Sequence, residues 1–207
     1  MLEELETDAQ INVIESLSVD KAATMLERLP ADEAADILEE MDEDKAQEIL
    51  NEMEKEISEE VRELMEYPEK SVGSLMTTDF IAFTERTTVS EAIQELRTLK
   101  PESDTVYDLY IVDEGEKLIA HLSLRDLILA EPDSILGEIA NREIVFVTDD
   151  EELDTLYETL SKYNLLSVPV VDGRMVLLGT VVINDVVYNL LKSRRKKSIE
   201  GRKWPWE

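Results

Sequence analysis

A chain of 207 residues is long enough for one or two domains with a real core. It has no Cys and a single His, which excludes disulfides, thiolate metal sites, Cys nucleophiles and metal centres built on several histidines. Its 49 acidic residues against 21 basic ones give a net charge of −28, a body that repels nucleic-acid backbones and attracts cations.

Residues 1–66 contain no Gly and one Pro, Pro30, and read as all-helical. The opening, MLEELETD, is acidic where a secretory signal would be basic and then apolar. A short repeat follows: SVDKAATMLERL from Ser18, PADEAADILEEM from Pro30 and DEDKAQEILNEM from Asp42, each start 12 residues after the last. Pro30 and Asp42 suit helix starts, and the acids behind them complement the helix dipole. Helices of about two turns are not stable alone, so stacking them to bury their Ala-Leu faces is expected. The Pro and the period of 12, rather than 7, argue against one coiled-coil helix.

Residues 67–71, YPEKS, form the expected linker, because Pro68 cannot continue a helix and biases Tyr67 toward extended backbone. Beyond it one unit occurs twice at a period near 60 residues. Its first copy spans 72–132. There Ile81-Ala82-Phe83 reads as a strand and TTVSEAIQELRTL as a helix. VYDLYIVDEGEKLIAHLSLRD (106–126) follows as two strands and a helix start. The second copy spans 134–192, with IVFV (144–147), DDEELDTLYETLSKY and LSVPVVDGRMVLLGTVVIND (166–185) in the same order, ending in a helix at Asp185. His121 falls in a strand pattern and is expected at the core or a strand edge. Residues 193–207 are basic and contain Trp204 and Trp206, the composition that precedes a membrane entry on the cytoplasmic side. No apolar run approaches the ~20 residues of a membrane span.

The duplicated unit resembles a tandem pair of CBS (cystathionine β-synthase) domains. The residues that carry the resemblance are GSLMT (73–77), VPVVDG (168–173), GTVVIND (179–185) and the run from Val112 to Asp126. With the helical repeat and the junction YPEKSVGSLMT (67–77), the whole is similar to the cytosolic region of an MgtE-type magnesium transporter. The resemblance implies an α+β fold: an all-helical superhelix of short helices, residues 1–66, then a CBS (β-α-β-β-α) pair. It also implies a homodimer through the CBS domains, a membrane transport domain C-terminal to these residues, and a place on the cytoplasmic face of the cell membrane. The basic tail departs from the family pattern. It leaves that membrane domain open between an MgtE-like one and another metal transporter, such as the NRAMP type.

No P-loop, Gly-rich dinucleotide turn or G-x-S-x-G motif occurs, so no enzyme activity and no partnership with nucleic acid are expected. Two ligands remain. By resemblance, a nucleotide, ATP or AMP with ATP favoured, lies in the cleft between CBS domains. Ser123, Arg125 and Asp126 match the hydroxyl, basic and acidic positions at the last helix of the first domain. A helix start offers N–H groups to phosphate and a carboxylate accepts from ribose. The same residues also make a helix capping box. In the second domain Val182 stands at the Ser123 position and cannot bond phosphate, while Asp185 remains. The other ligand is Mg²⁺, which keeps several waters and needs only one or two carboxylates. By resemblance its residues are Asp150, Glu152, Asp154 and Asp185 on the second domain, with Asp32, Glu33 and Asp36 on the helical domain. A solvated acidic face is the alternative for each. Leu153, Leu156 and Leu160 are expected to be apolar positions left for a dimer partner. The expected function is a Mg²⁺-sensing gating region of a magnesium or divalent-cation transporter. The alternative is an adenosine-nucleotide-sensing module that regulates a partner protein.

Overall fold

The computed structural model describes residues 7–101 and 108–200, with side chains over 9–101 and 108–191. Five short helices come first: α1 (Thr7–Glu15), α2 (Val19–Leu26), α3 (Ala31–Glu39), α4 (Glu43–Glu52) and α5 (Lys55–Met65). Three of the starts are those the repeat marks, Ser18 being the N-cap of α2. Pro30 caps α3, and Asp42 caps α4 by accepting from the Lys45 N–H at 3.3 Å. The helices stack in alternation, α1 on α3, α2 on α4 and α3 on α5. α2, α3 and α4 bury Ala with Leu or Ile, such as Ala22, Leu26, Ala34, Ile37, Leu38, Ala46, Ile49 and Leu50, while α1 adds Ile14 and α5 adds Val61 and Leu64.

After a 3-10 turn at Gly73–Leu75 the duplicated units follow. The first holds β1 (Ala82–Thr84), α6 (Val89–Leu99), β2 (Asp108–Val112), β3 (Leu118–Ser123), α7 (Leu124–Leu129) and the single turn α8 (Leu136–Ile139). The second holds β4 (Val147–Thr148), α9 (Leu153–Tyr163), β5 (Ser167–Val171), β6 (Leu177–Val182) and α10 (Ile183–Glu200). The sheets are ordered β1-β2-β3 and β4-β5-β6, each with a parallel pair and then an antiparallel pair. Asp108 pairs with Ser123 and Ser167 with Val182, an offset of 59 positions for both partners. The hairpin turns repeat as well. Asp113 Oδ1 accepts from the N–H groups of Gly115 and Lys117, and Asp172 Oδ1 from those of Arg174 and Val176. This is the α+β architecture of a helical region followed by a CBS pair.

The two units exchange backbone. Asn141, on the way to β4, bridges His121 of β3, and Thr77, on the way to β1, bridges Thr180 of β6. The Thr77 pairing brings the chain close enough that a Cβ on Gly179 would lie 2.6 Å from the Thr77 carbonyl oxygen, so only Gly fits. Tyr110 and Thr180 close the middle of the pair with a 2.8 Å hydroxyl contact. The single His sits half-buried in β3, its Nδ1 3.6 Å from Asp108.

The structure departs from three expectations. Leu156 and Leu160 are buried and Leu153 packs beside them, in a core that runs from the short helices through Val72 and Met76 into the second sheet. They are therefore not left for a partner, because the CBS domain's own sheet covers them. The strand expected at 144–147 is only Val147–Thr148, because Ile144 to Phe146 have no ladder partner. The last helix starts at Ile183 rather than Asp185 and its backbone runs on to Glu200. Trp204 and Trp206 lie outside the described residues.

Candidate functional site

Where the helical region meets the CBS pair, a cavity of about 430 Å³ opens. Pro30, Asp32 and Glu33 reach it from the start of α3. Thr77, Asp79, Phe80 and Ile81 line it from the lead into β1, Leu99, Lys100 and Pro101 from the end of α6, and Val182 and Asp185 from the start of α10. Three of the residues singled out as metal candidates, Asp32, Glu33 and Asp185, thus meet from elements far apart in sequence. Asp79 and Thr77 join them, and neither was among the candidates. Thr77 closes the GSLMT run (73–77), which was read as a domain entry and not as part of a site, and Asp79 lies two residues beyond it.

The electrostatics of this cavity are those of crowded carboxylates. Burial pushes the Asp32 carboxyl up to about 7. The Thr77 hydroxyl, donating to it, works in the opposite direction, and the charges of Asp185 and Glu33 raise it further. Asp32 Oδ1 is buried and has no hydrogen-bond partner. A buried carboxylate oxygen left in this way costs free energy until a proton or a cation meets it. Among the described residues no three acidic or histidine side chains form a ready-made metal cage. The donor set, oxygens only and spread around a roomy cavity, fits a hard cation that keeps its water: Mg²⁺ binds through one or two carboxylates and several waters. Asp32 and Asp185 are the residues that would hold it.

The remaining candidates lie elsewhere. Asp150, Glu152 and Asp154 are exposed at the approach to and first turn of α9 and do not line the cavity. Asp150 Oδ1 accepts from the Thr148 hydroxyl at 2.6 Å. Asp36 is exposed on α3, one turn beyond Asp32 and Glu33.

The three nucleotide candidates are adjacent but occupied with one another. Ser123 caps α7: its Oγ accepts from the Asp126 N–H at 3.1 Å and donates to Asp126 Oδ2 at 2.7 Å. Arg125 donates to Asp126 Oδ1 at 3.2 Å, with both side chains exposed. The geometry is that of a helix cap whose carboxylate and hydroxyl face water. In the second unit the buried Val182 holds the Ser123 position, and the cleft there is the acidic cavity described above.

Comparison with known proteins agrees with this layout. The family model described as the MgtE intracellular N domain matches residues 1–70, and the CBS domain model matches 72–133 and 136–192. The magnesium transporter MgtE of Thermus thermophilus is 38% identical over 124 residues, which is 60% of this chain and 28% of that protein. The Enterococcus faecalis MgtE is 32% identical over 126 residues, 61% of this chain and 28% of that protein. The match thus spans little more than a quarter of these relatives' length. Among solved structures, the soluble part of a magnesium transporter superposes with a TM-score of 0.88 at 28% identity, covering 93% of this chain and 76% of that one. The cytosolic domain of the Mg²⁺ channel MgtE in complex with ATP gives a TM-score of 0.81 at 32% identity, covering 90% of this chain and 76% of that one.

Proposed function

Because this chain belongs to the MgtE family, as an N domain joined to a pair of CBS domains, we propose that it senses Mg²⁺ and gates a magnesium or divalent-cation transporter. On this reading it lies on the cytoplasmic face of a membrane, with the transport domain C-terminal to it. The observation that carries the proposal is the acidic cavity between the N domain and the second CBS domain. Without a cation its carboxylates oppose docking: two carboxylates about 4 Å apart at an effective dielectric of about 20 repel by about 4 kcal/mol. A bridging Mg²⁺ reverses that sign. Moving a population from mostly open to mostly closed takes ~5.5 kcal/mol of differential affinity, which a small number of such sites supplies. High Mg²⁺ would then hold the N domain on the CBS pair and strain the helix leading out of it, α10, toward the closed pathway. Low Mg²⁺ would release it.

Calorimetric titration with MgCl₂ tests the site. The chain should show binding in the millimolar range, and Asp32→Asn with Asp185→Asn should weaken it about tenfold or more. Retention of the full heat by that double variant would remove the cavity from the account. Asp150, Glu152, Asp154 and Asp36 serve in this proposal as a secondary, exposed set whose single substitutions have smaller effects.

A second reading, regulation by an adenosine nucleotide, has one observation in its favour: a 32% identical MgtE cytosolic domain is in complex with ATP. The start of α7, with Ser123, Arg125 and Asp126, is where this chain would take the ribose and phosphates. The two ligands are compatible, because the anion would use the first cleft and the cation the second.

A further inference from the structure

The junction between the N domain and the CBS pair is not a loose linker. Five backbone hydrogen bonds stitch the segment that follows it into the second CBS domain. Leu153 N–H donates to the Lys70 carbonyl at 3.1 Å, Val72 N–H to Glu151 at 2.8 Å and Gly73 N–H to Asp149 at 2.9 Å. Thr77 and Thr180 exchange a pair at 2.9 Å each. On the other side the chain belongs to α5 as far as Tyr67, whose N–H donates to the Leu64 carbonyl at 3.2 Å. Only residues 68 and 69 lie between the last backbone bond to the N domain, at Tyr67, and the first to the second CBS domain, at Lys70. Both, Pro68 and Glu69, are exposed.

Tyr67 spans this gap with its side chain. Its ring lies flat on the backbone of Gly73, where a Cβ would fall 2.3 to 2.6 Å from three ring carbons. Its hydroxyl donates to Asp149 Oδ2 at 3.2 Å. Burial and the Asp149 charge beside it push that phenol up to about 12, so it stays a donor throughout the physiological range. Asp149 also accepts the Gly73 N–H through its carbonyl and donates its own N–H to Val171 of β5, so the acceptor is fixed to the sheet.

We infer that residues 67–70 are the pivot on which the N domain swings. Tyr67, seated on Gly73 and bonded to Asp149, is a latch that adds to the shared apolar core in holding it docked. The inference rests on the Proposed function only in assuming that the N domain has a docked and a released state. Tyr67 acts as a positioning residue: it touches no ligand of the cavity, but it sets how readily α3 carries Asp32 to Asp185.

The chain has no Cys, so two introduced ones can be labelled without background. Spin labels at Glu52→Cys on the N domain and Glu138→Cys on the first CBS domain report the distance between them by pulsed electron resonance. Wild type, Tyr67→Phe, Gly73→Ala and a control, Tyr157→Phe, are compared in chelator and again with MgCl₂. In chelator, Tyr67→Phe should raise the ratio of long-distance to short-distance population about fivefold, the weight of one hydrogen bond. Gly73→Ala, which drives the ring off its seat, should raise it further, and Tyr157→Phe should leave it unchanged. Distributions in both latch variants that match wild type overturn the latch. So does a wild type already as open as the variants. The MgCl₂ arm is separate: a latch effect with no response of wild type to Mg²⁺ would keep this inference and reject the metal reading.

Discussion

Asp32 is the residue on which the metal reading turns, and its titration gives it a sign. Its carboxyl sits at about 7, against 3.8 for an ordinary aspartate, chiefly because it is buried, and it lies in the cavity where the N domain meets the CBS pair. Between about pH 4 and about pH 7 a released N domain gives up a proton that the docked one keeps. Docking without metal is therefore favoured at low pH and weakens as pH rises through that window, with the loss complete above about 7. A cation needs the carboxylate, so its contribution grows over the same range. The docked fraction in chelator should fall from pH 5 to pH 7.5, as read by the interlabel distance, and Asp32→Asn should flatten the slope. A slope of the same size in Asp32→Asn would assign the titration to another group.

At the scale of elements, α7 decides whether a nucleotide is a ligand. Its cap uses Ser123 and Asp126 on each other. If ATP binds there, Asp126→Ala removes the ribose acceptor, and calorimetry should show the binding lost while the fold persists. Unchanged ATP binding in that variant would leave the turn a cap and nothing more.

The elements also show what could be read from the chain. Pro30 and Asp42 marked the starts of α3 and α4 because helix caps are local chemistry, and the period near 60 marked the two sheets because each hairpin turn opens on an Asp, Asp113 or Asp172, whose Oδ1 accepts from the N–H groups two and four positions on. The burial of Leu156 and Leu160 was misread, because a leucine stripe on α9 looks the same whether its own sheet or a second chain covers it. The cavity was half legible. Asp32, Glu33 and Asp185 were candidates, but only the fold brings the starts of α3 and α10 to one cavity and leaves out Asp150, Glu152 and Asp154. Tyr67 and Gly73 gave no sign of a contact beyond their place in the junction.

At the scale of the whole molecule, apolar side chains remain on the outer helices. Ile128 and Leu129 on α7 are 66% and 68% exposed, and Val187 and Leu191 on α10 are also exposed. We propose that a second copy of the chain covers them, by two-fold association of like helices. Light scattering at micromolar concentration should give about twice the 23.7 kDa chain mass. Ile128→Asp with Leu129→Asp should return it to the monomer, and a wild-type monomer would remove the dimer.

The central claim is that Mg²⁺ holds an acidic N domain against an acidic CBS pair. Small-angle scattering of the whole chain at fixed ionic strength tests it most directly. The radius of gyration should fall as MgCl₂ rises through the millimolar range, NaCl at equal ionic strength should do less, and Asp32→Asn with Asp185→Asn should blunt the response. Equal compaction by Na⁺ and Mg²⁺ would contradict it, because the −28 charge would then be answered by general screening and not by a bound ion.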